Sequence, residues 1–248
     1  MMKFIGIIPA RYVSSRFPGK PLCDICGKTM IRRVYESVTK WDHWKEVYVA
    51  TDSSMIADSC KNDNIPYIMT GDYHLDCLDR ASETVEILES NNAGADKYII
   101  IQGDEPLFNV DTLNVDMNSS IINFYTEVHD KEELYDPNAV KVVVSKNQKA
   151  LYFSRYSIPY CNDKTKRDDV NVAVYKQIGV YVFTGETLCL YSNLEPTYLE
   201  KTEGIGLNRL LENDICIDMR YTQYDSISID TPQDQKRIIE MIERKNEK

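Results

Sequence analysis

Nowhere in its 248 residues does the chain carry an apolar run approaching the roughly 20 residues needed to cross a bilayer. The opening stretch Met1–Pro9 is too short for the core of a signal peptide and runs almost at once into Arg11. A cytoplasmic protein with no membrane partner is the expectation. Positive charge is also scarce: 29 Lys and Arg stand against 39 Asp and Glu, a net charge of −10. That balance argues against nucleic acid as a partner, because such binding depends on Lys and Arg meeting phosphate. It leaves room for a small anionic ligand, since a few local cations outweigh charge spread over a whole surface. A disulfide framework is missing too. The seven cysteines are odd in number and irregular in spacing, which fits reduced thiols. Cys23 and Cys26 form a lone CxxC with no second pair and no HxxxH to complete a zinc site. The chain has no Walker A loop, no GxGxxG and no Asp-x-Asp, and no repeat or low-complexity tract.

What is present is an ordinary globular composition, 27% charged and 43% hydrophobic, long enough for one large domain or two small ones. The first half alternates. Phe4–Ile8, Glu46–Thr51, Pro66–Met69 and Tyr98–Gln102 read as short buried strands. Ile31, Val34, Tyr35 and Val38 recur at helical spacing over 30–39, and further helices are expected over 54–62 and 79–90. Asp52-Ser53-Ser54 is placed to cap the second of these. Strands separated by helices imply βαβ units and a mostly parallel sheet. The second half is richer in strand patterns, over 139–144, 150–153, 177–183 and 215–221, and residues 161–171 read as a polar surface loop. A charged helix is expected over 233–246. The organisation predicted is one α/β domain, 1–248, with a ligand-binding half over about 1–113 and an inserted β-rich part over about 139–221.

Ligands of open parallel sheets gather at the carboxyl ends of the strands. After the first strand comes Pro9-Ala10-Arg11-Tyr12-Val13-Ser14-Ser15-Arg16-Phe17-Pro18-Gly19-Lys20, which combines three cations, two hydroxyls and a glycine. Such a loop suits a polyphosphate, and a solvated basic loop is the plainer alternative. After the strand ending at Gln102 comes Gly103-Asp104-Glu105-Pro106, where a carboxylate beside a basic loop is placed to share Mg²⁺ with phosphate, or to cap a helix before Pro106. Asp230, in Ile229-Asp230-Thr231-Pro232-Gln233-Asp234, is open to the same two readings. His43, between Trp41 and Trp44, reads as packing, and His74 as either a loop hydrogen bond or a neighbour of the ligand.

The loop IPARYVSSRFPGKPL, the segment QGDEP, the stretch VKVVVSKNQKALYFSRYSIPY and the late IDTPQD occur in order along nearly the whole chain. Together they resemble the 3-deoxy-manno-octulosonate (KDO) cytidylyltransferases. The resemblance implies a nucleotidyltransferase-type, Rossmann-like fold with a β-rich dimerisation subdomain, a homodimer, Mg²⁺ as cofactor, and CTP and an acidic sugar as substrates. Residue by residue, it makes Arg11, Ser14, Arg16 and Lys20 the phosphate cradle and Asp104 and Asp230 the metal ligands, with Arg11, Lys20 and Asp104 catalytic. It places Arg80, Gln102, Arg155, Gln177 and Tyr181 among the substrate-binding residues.

Three segments depart from the family pattern, all on the acceptor side. The usual SGTER appears as Asp76-Cys77-Leu78-Asp79-Arg80, a histidine is replaced by Gln177, and the two polar residues of an SLEQLR-like segment are Gly206 and Leu207. A site built to hydrogen-bond hydroxyls discriminates sharply when its partners change. The expected acceptor is therefore KDO, with Asp79, Gln177 and nearby Glu203 restoring the contacts, or a variant such as an amino-KDO or another acid. A metal-dependent glycosyltransferase and an inactive nucleotide-binding protein are the competing classes.

Overall fold

The computed structural model describes residues 2–13, 16–162 and 173–246, and these form two compact units, Met1–Leu113 with Ser226–Lys248, and Asn114–Asp225.

The first unit is built from βαβ steps. Strand β1 (Phe4–Pro9) buries Ile5, Ile7 and Ile8 completely and stops at Pro9, which lacks the N–H to continue a ladder. A tight hairpin follows, β2 (Asp24–Ile25) and β3 (Lys28–Thr29). Its two turn residues, Cys26 and Gly27, both have positive φ (49° and 76°), as a two-residue turn matching the strand twist requires. The CxxC is thus the shoulder of a hairpin. Helix α1 (Met30–Val38) starts at Thr29, whose hydroxyl accepts from the Arg32 N–H, and buries Met30, Ile31, Val34 and Val38.

Strand β4 (Trp44–Thr51), helix α2 (Ser54–Asn62), strand β5 (Tyr67–Met69), helix α3 (Cys77–Ser90) and strand β6 (Lys97–Ile101) complete the series. Ser53 makes no side-chain cap on α2, and Asp52 is committed elsewhere, to Arg80. Helix α3 begins two residues earlier than its periodicity predicts, because Asp76 accepts from the N–H groups of Leu78 and Asp79, each at 2.9 Å. His43 packs edge-on to Trp41 with ring centres 5.0 Å apart, as expected of a structural residue.

The strands of this unit lie β6-β1-β4-β5, all parallel, with Ile7 opposite both Tyr48 and Ile100. The chain moves outward from β1 to β5 and then returns through α3 to the other side of β1. The order reverses between β1 and β6, and such a switch point opens a crevice beyond the strand ends. The loops that leave β1 and β6 are therefore neighbours. They approach so closely that a Cβ on Gly103 would lie 2.6 Å from the Pro9 carbonyl oxygen. Gly103→Ala is expected to force the two loops apart, costing about 1–3 kcal/mol in a urea titration. Unchanged stability together with full activity would show that the loops yield freely.

The second unit is a mixed sheet with helices. Strand β7 (Ile121–Glu127) runs antiparallel to β10 (Tyr175–Phe183); β8 (Lys141–Val144) joins β10 to β9 (Ala150–Ser154), and β11 (Asp218–Tyr221) lies parallel to β7. Helices α4 (Lys131–Tyr135), α5 (Gly185–Asn193), α6 (Tyr198–Glu203) and α7 (Leu207–Glu212) fill the connections. Neither β7 nor the three helices of 185–212 is signalled by the sequence pattern. Strand β7 is buried over all but its last residue, so it shows no alternation to read. Helices α6 and α7 are six residues each, too short for helical periodicity to show. The polar loop expected over 161–171 falls mostly outside the described residues. Helix α8 (Pro232–Asn246) belongs to the first unit and is tied there by Gln235, whose amide donates to the Asp24 carbonyl at 2.7 Å. Among the described residues no helix is long and apolar enough to cross a membrane.

Candidate active site

At the switch point of the first unit, two segments distant in sequence meet the loop that follows β1. Residues 102–106 leave β6 as a turn, and no helix starts at Pro106, so Asp104 has none to cap. The Ser37 hydroxyl of α1 donates to the Pro106 carbonyl at 3.0 Å and holds this turn. The Ile229 N–H donates to the Asp104 carbonyl at 2.9 Å, which sets Asp230 beside Asp104. The capping role open to Asp230 is filled by its neighbours. Thr231 and Asp234 make the reciprocal cap of α8: the Asp234 N–H reaches the Thr231 hydroxyl, and the Thr231 N–H reaches the Asp234 carboxylate. Asp230 is released from capping, and its carboxylate faces the basic loop.

That loop is closed by the Gly19 N–H on the Tyr12 carbonyl at 3.0 Å. Gly19 itself has φ +71°, a conformation costly for any residue with a side chain, and it aims the following Lys20 inward. Lys20 Nζ donates to Asp104 Oδ2 at 2.8 Å and to Asp230 Oδ1 at 3.3 Å, and Arg16 Nη2 reaches the same Asp230 oxygen at 3.0 Å. Burial pulls the Lys20 pKa down, but Asp104 and then Asp230 outweigh it and hold the value above 10.5. A raised lysine pKa means that the pairing is fully present at neutral pH and is lost only as pH climbs through that raised value. Arg11, exposed at the end of β1, forms no ion pair among the described residues. Ser14 lies outside the described residues.

Gln102 and Arg80 belong to the same unit. Gln102 donates from Nε2 to Cys77 Sγ at 3.2 Å. Burial, and then the charge of Asp76, push the Cys77 thiol well above its ordinary pKa, so it remains protonated. Arg80 is buried, and its guanidinium goes to the Thr70 hydroxyl, the Gly71 carbonyl and Asp52 (3.1 Å). These bonds tie the end of β5 and the segment after it to α3. The neighbouring His74 bonds Glu83 at 2.5 Å, which makes it a loop hydrogen bond.

Arg155, Gln177 and Tyr181 lie in the second unit. Arg155 spends all three guanidinium nitrogens on carbonyls, those of Glu203 (2.7 Å), Pro137 (2.8 Å) and Gly204 (3.1 Å). The Glu203 carboxylate accepts from the Tyr152 hydroxyl, the Ser154 hydroxyl and the Arg155 N–H, at 2.7–2.9 Å. Sequence reasoning passed over this latch because its partners stand about 50 residues apart. Gln177 donates to the Tyr181 hydroxyl at 3.2 Å across a bulge in β10. The bulge is pinned by Asn123, which donates to the carbonyls of Ile178 and Val180. Gly206 contributes no side chain, and Leu207 is buried at 2% exposure.

The latch makes a pH prediction. Burial raises the Glu203 pKa, but the Arg155 N–H and the two hydroxyls outweigh it and leave it below 4.5. Its contribution is therefore present above about pH 4.5 and lost as pH falls through the lower native value. Urea titrations from pH 6 to 3 are expected to show wild type losing stability more steeply below pH 4.5 than Glu203→Gln. Parallel curves would remove Glu203 from the acid response.

A parallel sheet of this order, with cations and carboxylates meeting at its switch point, defines an α/β protein with a charged candidate ligand crevice beyond its strand ends. Residues 5–221 match the profile of the cytidylyltransferase family. The 3-deoxy-manno-octulosonate cytidylyltransferase of Parabacteroides distasonis is 39% identical over 250 residues, covering 96% of this chain and 98% of the relative. That of Thermodesulfovibrio yellowstonii is 39% identical over 243 residues, covering 94% and 95%. A solved structure of a CMP:2-keto-3-deoxy-manno-octonic acid synthetase complexed with CTP superposes with a TM-score of 0.85 at 32% identity, covering 98% of this chain and 99% of the other. The chain belongs to the 3-deoxy-manno-octulosonate cytidylyltransferase family and is a nucleotidyltransferase with a Rossmann-like, mainly parallel α/β fold.

Proposed function

We propose that the protein transfers a cytidylyl group from CTP to the anomeric hydroxyl of KDO, a 2-keto-3-deoxy sugar acid, giving CMP-KDO and pyrophosphate. The observation that carries this reading is the Lys20 ammonium spanning Asp104 and Asp230 at the sheet's switch point, in a chain similar over nearly its whole length to enzymes of that name. The acceptor hydroxyl attacks the α-phosphorus in line, opposite the departing pyrophosphate. Charge builds on the nonbridging and leaving oxygens, so stabilisation must come from fixed positive charge. Arg11, Arg16 and Lys20 bind the phosphates and take up that charge.

Two hard carboxylate oxygens beside a phosphate-binding loop fit Mg²⁺, which commonly takes one or two carboxylates and completes its shell with phosphate and water. Asp104 and Asp230 are the residues that would hold Mg²⁺, which supplies charge neutralisation at the reacting phosphates. A homodimer is part of the same reading. Exposed Leu151 on β9 and exposed Tyr156 and Tyr160 after it offer apolar surface for a second copy. The pathway would be lipopolysaccharide precursor synthesis in the cytoplasm.

A second acceptor is favoured by particular residues. Gly206 and Leu207 offer no polar group where the family pattern has two, and the Glu203 carboxylate is engaged by three donors of its own chain. These observations support an amino-substituted KDO or another 2-keto sugar acid. Pyrophosphate release from CTP and Mg²⁺, compared across KDO, an amino-KDO and other 2-keto sugar acids, tests both. Rapid release with KDO is expected on the first reading. Release only with another acid would replace it by the second, and no release with any sugar acid would overturn both.

A further inference from the structure

Lys20 does not wait in solvent for a phosphate. Its ammonium lies between the two carboxylates, 2.8 Å from Asp104 and 3.3 Å from Asp230, and Arg16 adds a second cation on the same Asp230 oxygen at 3.0 Å. Two positive and two negative side chains therefore balance one another. A bare divalent cation approaching these four side chains meets two carboxylates whose charge Lys20 and Arg16 already answer. It also needs oxygens at about 2.0–2.1 Å, and the oxygens that face each other across the cluster, Asp104 Oδ2 and Asp230 Oδ1, already accept from the ammonium. A lysine and a doubly charged ion cannot share that position, because at about 3 Å in a partly buried setting their repulsion is large.

We propose that Lys20 stands in for the metal in the nucleotide-free protein, and that the phosphates of CTP open the metal site by drawing Lys20 and Arg16 away from Asp104 and Asp230. This rests on the reading of those two aspartates as the metal-binding pair. The exchange is chemically balanced in charge. Phosphate oxygens offer Lys20 and Arg16 acceptors as good as the carboxylates they leave, and the two freed carboxylates then carry an uncompensated negative charge that a divalent cation neutralises. The lysine stem is suited to the movement, being a flexible four-carbon chain with a compact head. Nucleotide and metal consequently bind with positive coupling, and the coupling is reciprocal: CTP raises metal affinity by the factor by which metal raises CTP affinity.

The test is Mn²⁺ binding followed by electron paramagnetic resonance on the intact protein, with foldedness checked by thermal melts in EDTA. Without nucleotide, Lys20→Met and Lys20→Gln are both expected to bind Mn²⁺ at least about tenfold more tightly than wild type. A lysine that merely supported the loop would give the opposite result, equal or weaker Mn²⁺ binding on its removal, and that outcome overturns the proposal. Wild type gives an arm free of variants. Its Mn²⁺ affinity should rise at least about tenfold when CTP is bound, after correction for Mn²⁺ held by free CTP, and an unchanged affinity overturns the exchange as well. The underlying metal reading is tested separately. If the doubly substituted Asp104→Asn, Asp230→Asn protein keeps the nucleotide-dependent Mn²⁺ signal of wild type, the metal assignment fails, whereas loss of that signal with no gain in Lys20→Met defeats the exchange alone.

Discussion

Asp104→Asn is expected to lower kcat by about a thousandfold or more while the melting temperature moves little. The amide preserves the shape of the side chain, and the Asp104 backbone carbonyl keeps its bond from Ile229. Lys20 retains Asp230 as an ionic partner, so the loop after β1 is not left with a stranded charge. On the proposed reading, what the substitution removes is one of the two carboxylates that would hold Mg²⁺ at the reacting phosphates. Its only route to the developing negative charge is through the Mg²⁺ it would help to hold, and losing charge stabilisation of that kind costs a factor of about 10³ or more. Pyrophosphate release under saturating CTP measures the first quantity and a thermal melt the second. Activity within tenfold of wild type would take Asp104 out of the reaction. A large fall in melting temperature would show that its role is structural.

The largest loss of stability is expected in the second unit, from Glu200→Gln. Arg209 is 1% exposed and rests its guanidinium over the Tyr191 ring, 4.2 Å from its centre. Glu200 meets it with both oxygens, at 2.6 and 2.9 Å, in a two-point pairing. Taking away one partner of a buried pair leaves an uncompensated charge and costs about 3–5 kcal/mol. Replacing both residues by leucine removes the charge together with its partner, so the double variant should be less impaired than Glu200→Gln alone. Urea denaturation of the three proteins reads this directly. Equal stability of wild type and Glu200→Gln would mean that water reaches Arg209.

The first unit was largely legible because its signals are local. Apolar runs closed by Pro9 or by Gly103-Asp104, and the spacing of Ile31, Val34 and Val38, give strands and helices whose ends differ from the observed ones by a residue or two. The second unit was less so. A strand buried along nearly its whole length shows no period of two, and helices of six residues end before a period of 3.6 can repeat. The candidate site divides in the same way. Arg11, Arg16, Lys20 and Asp104 stand out because they fall in segments that follow predicted strands, where parallel sheets collect ligands, and Asp230 because it follows an apolar stretch and precedes a helix. Arg155 also stood out, yet its guanidinium is held by three backbone carbonyls, a destination that residue type alone does not reveal.

By itself the sequence determined the alternation of strand and helix in the first half, the chemical character of the loops after β1 and β6, and the family to which the motifs point. All of these are read from short stretches and their order along the chain. Only the tertiary structure decided which residues of those loops meet. Lys20 lies 84 residues from Asp104 and 210 from Asp230, and their contact depends on the strand order reversing between β1 and β6. It likewise decided that Thr231 caps α8 and frees Asp230. The physical reason is common to both cases: a side chain's capacity to bond is set by its own chemistry, whereas its choice among partners is set by the path of the whole chain.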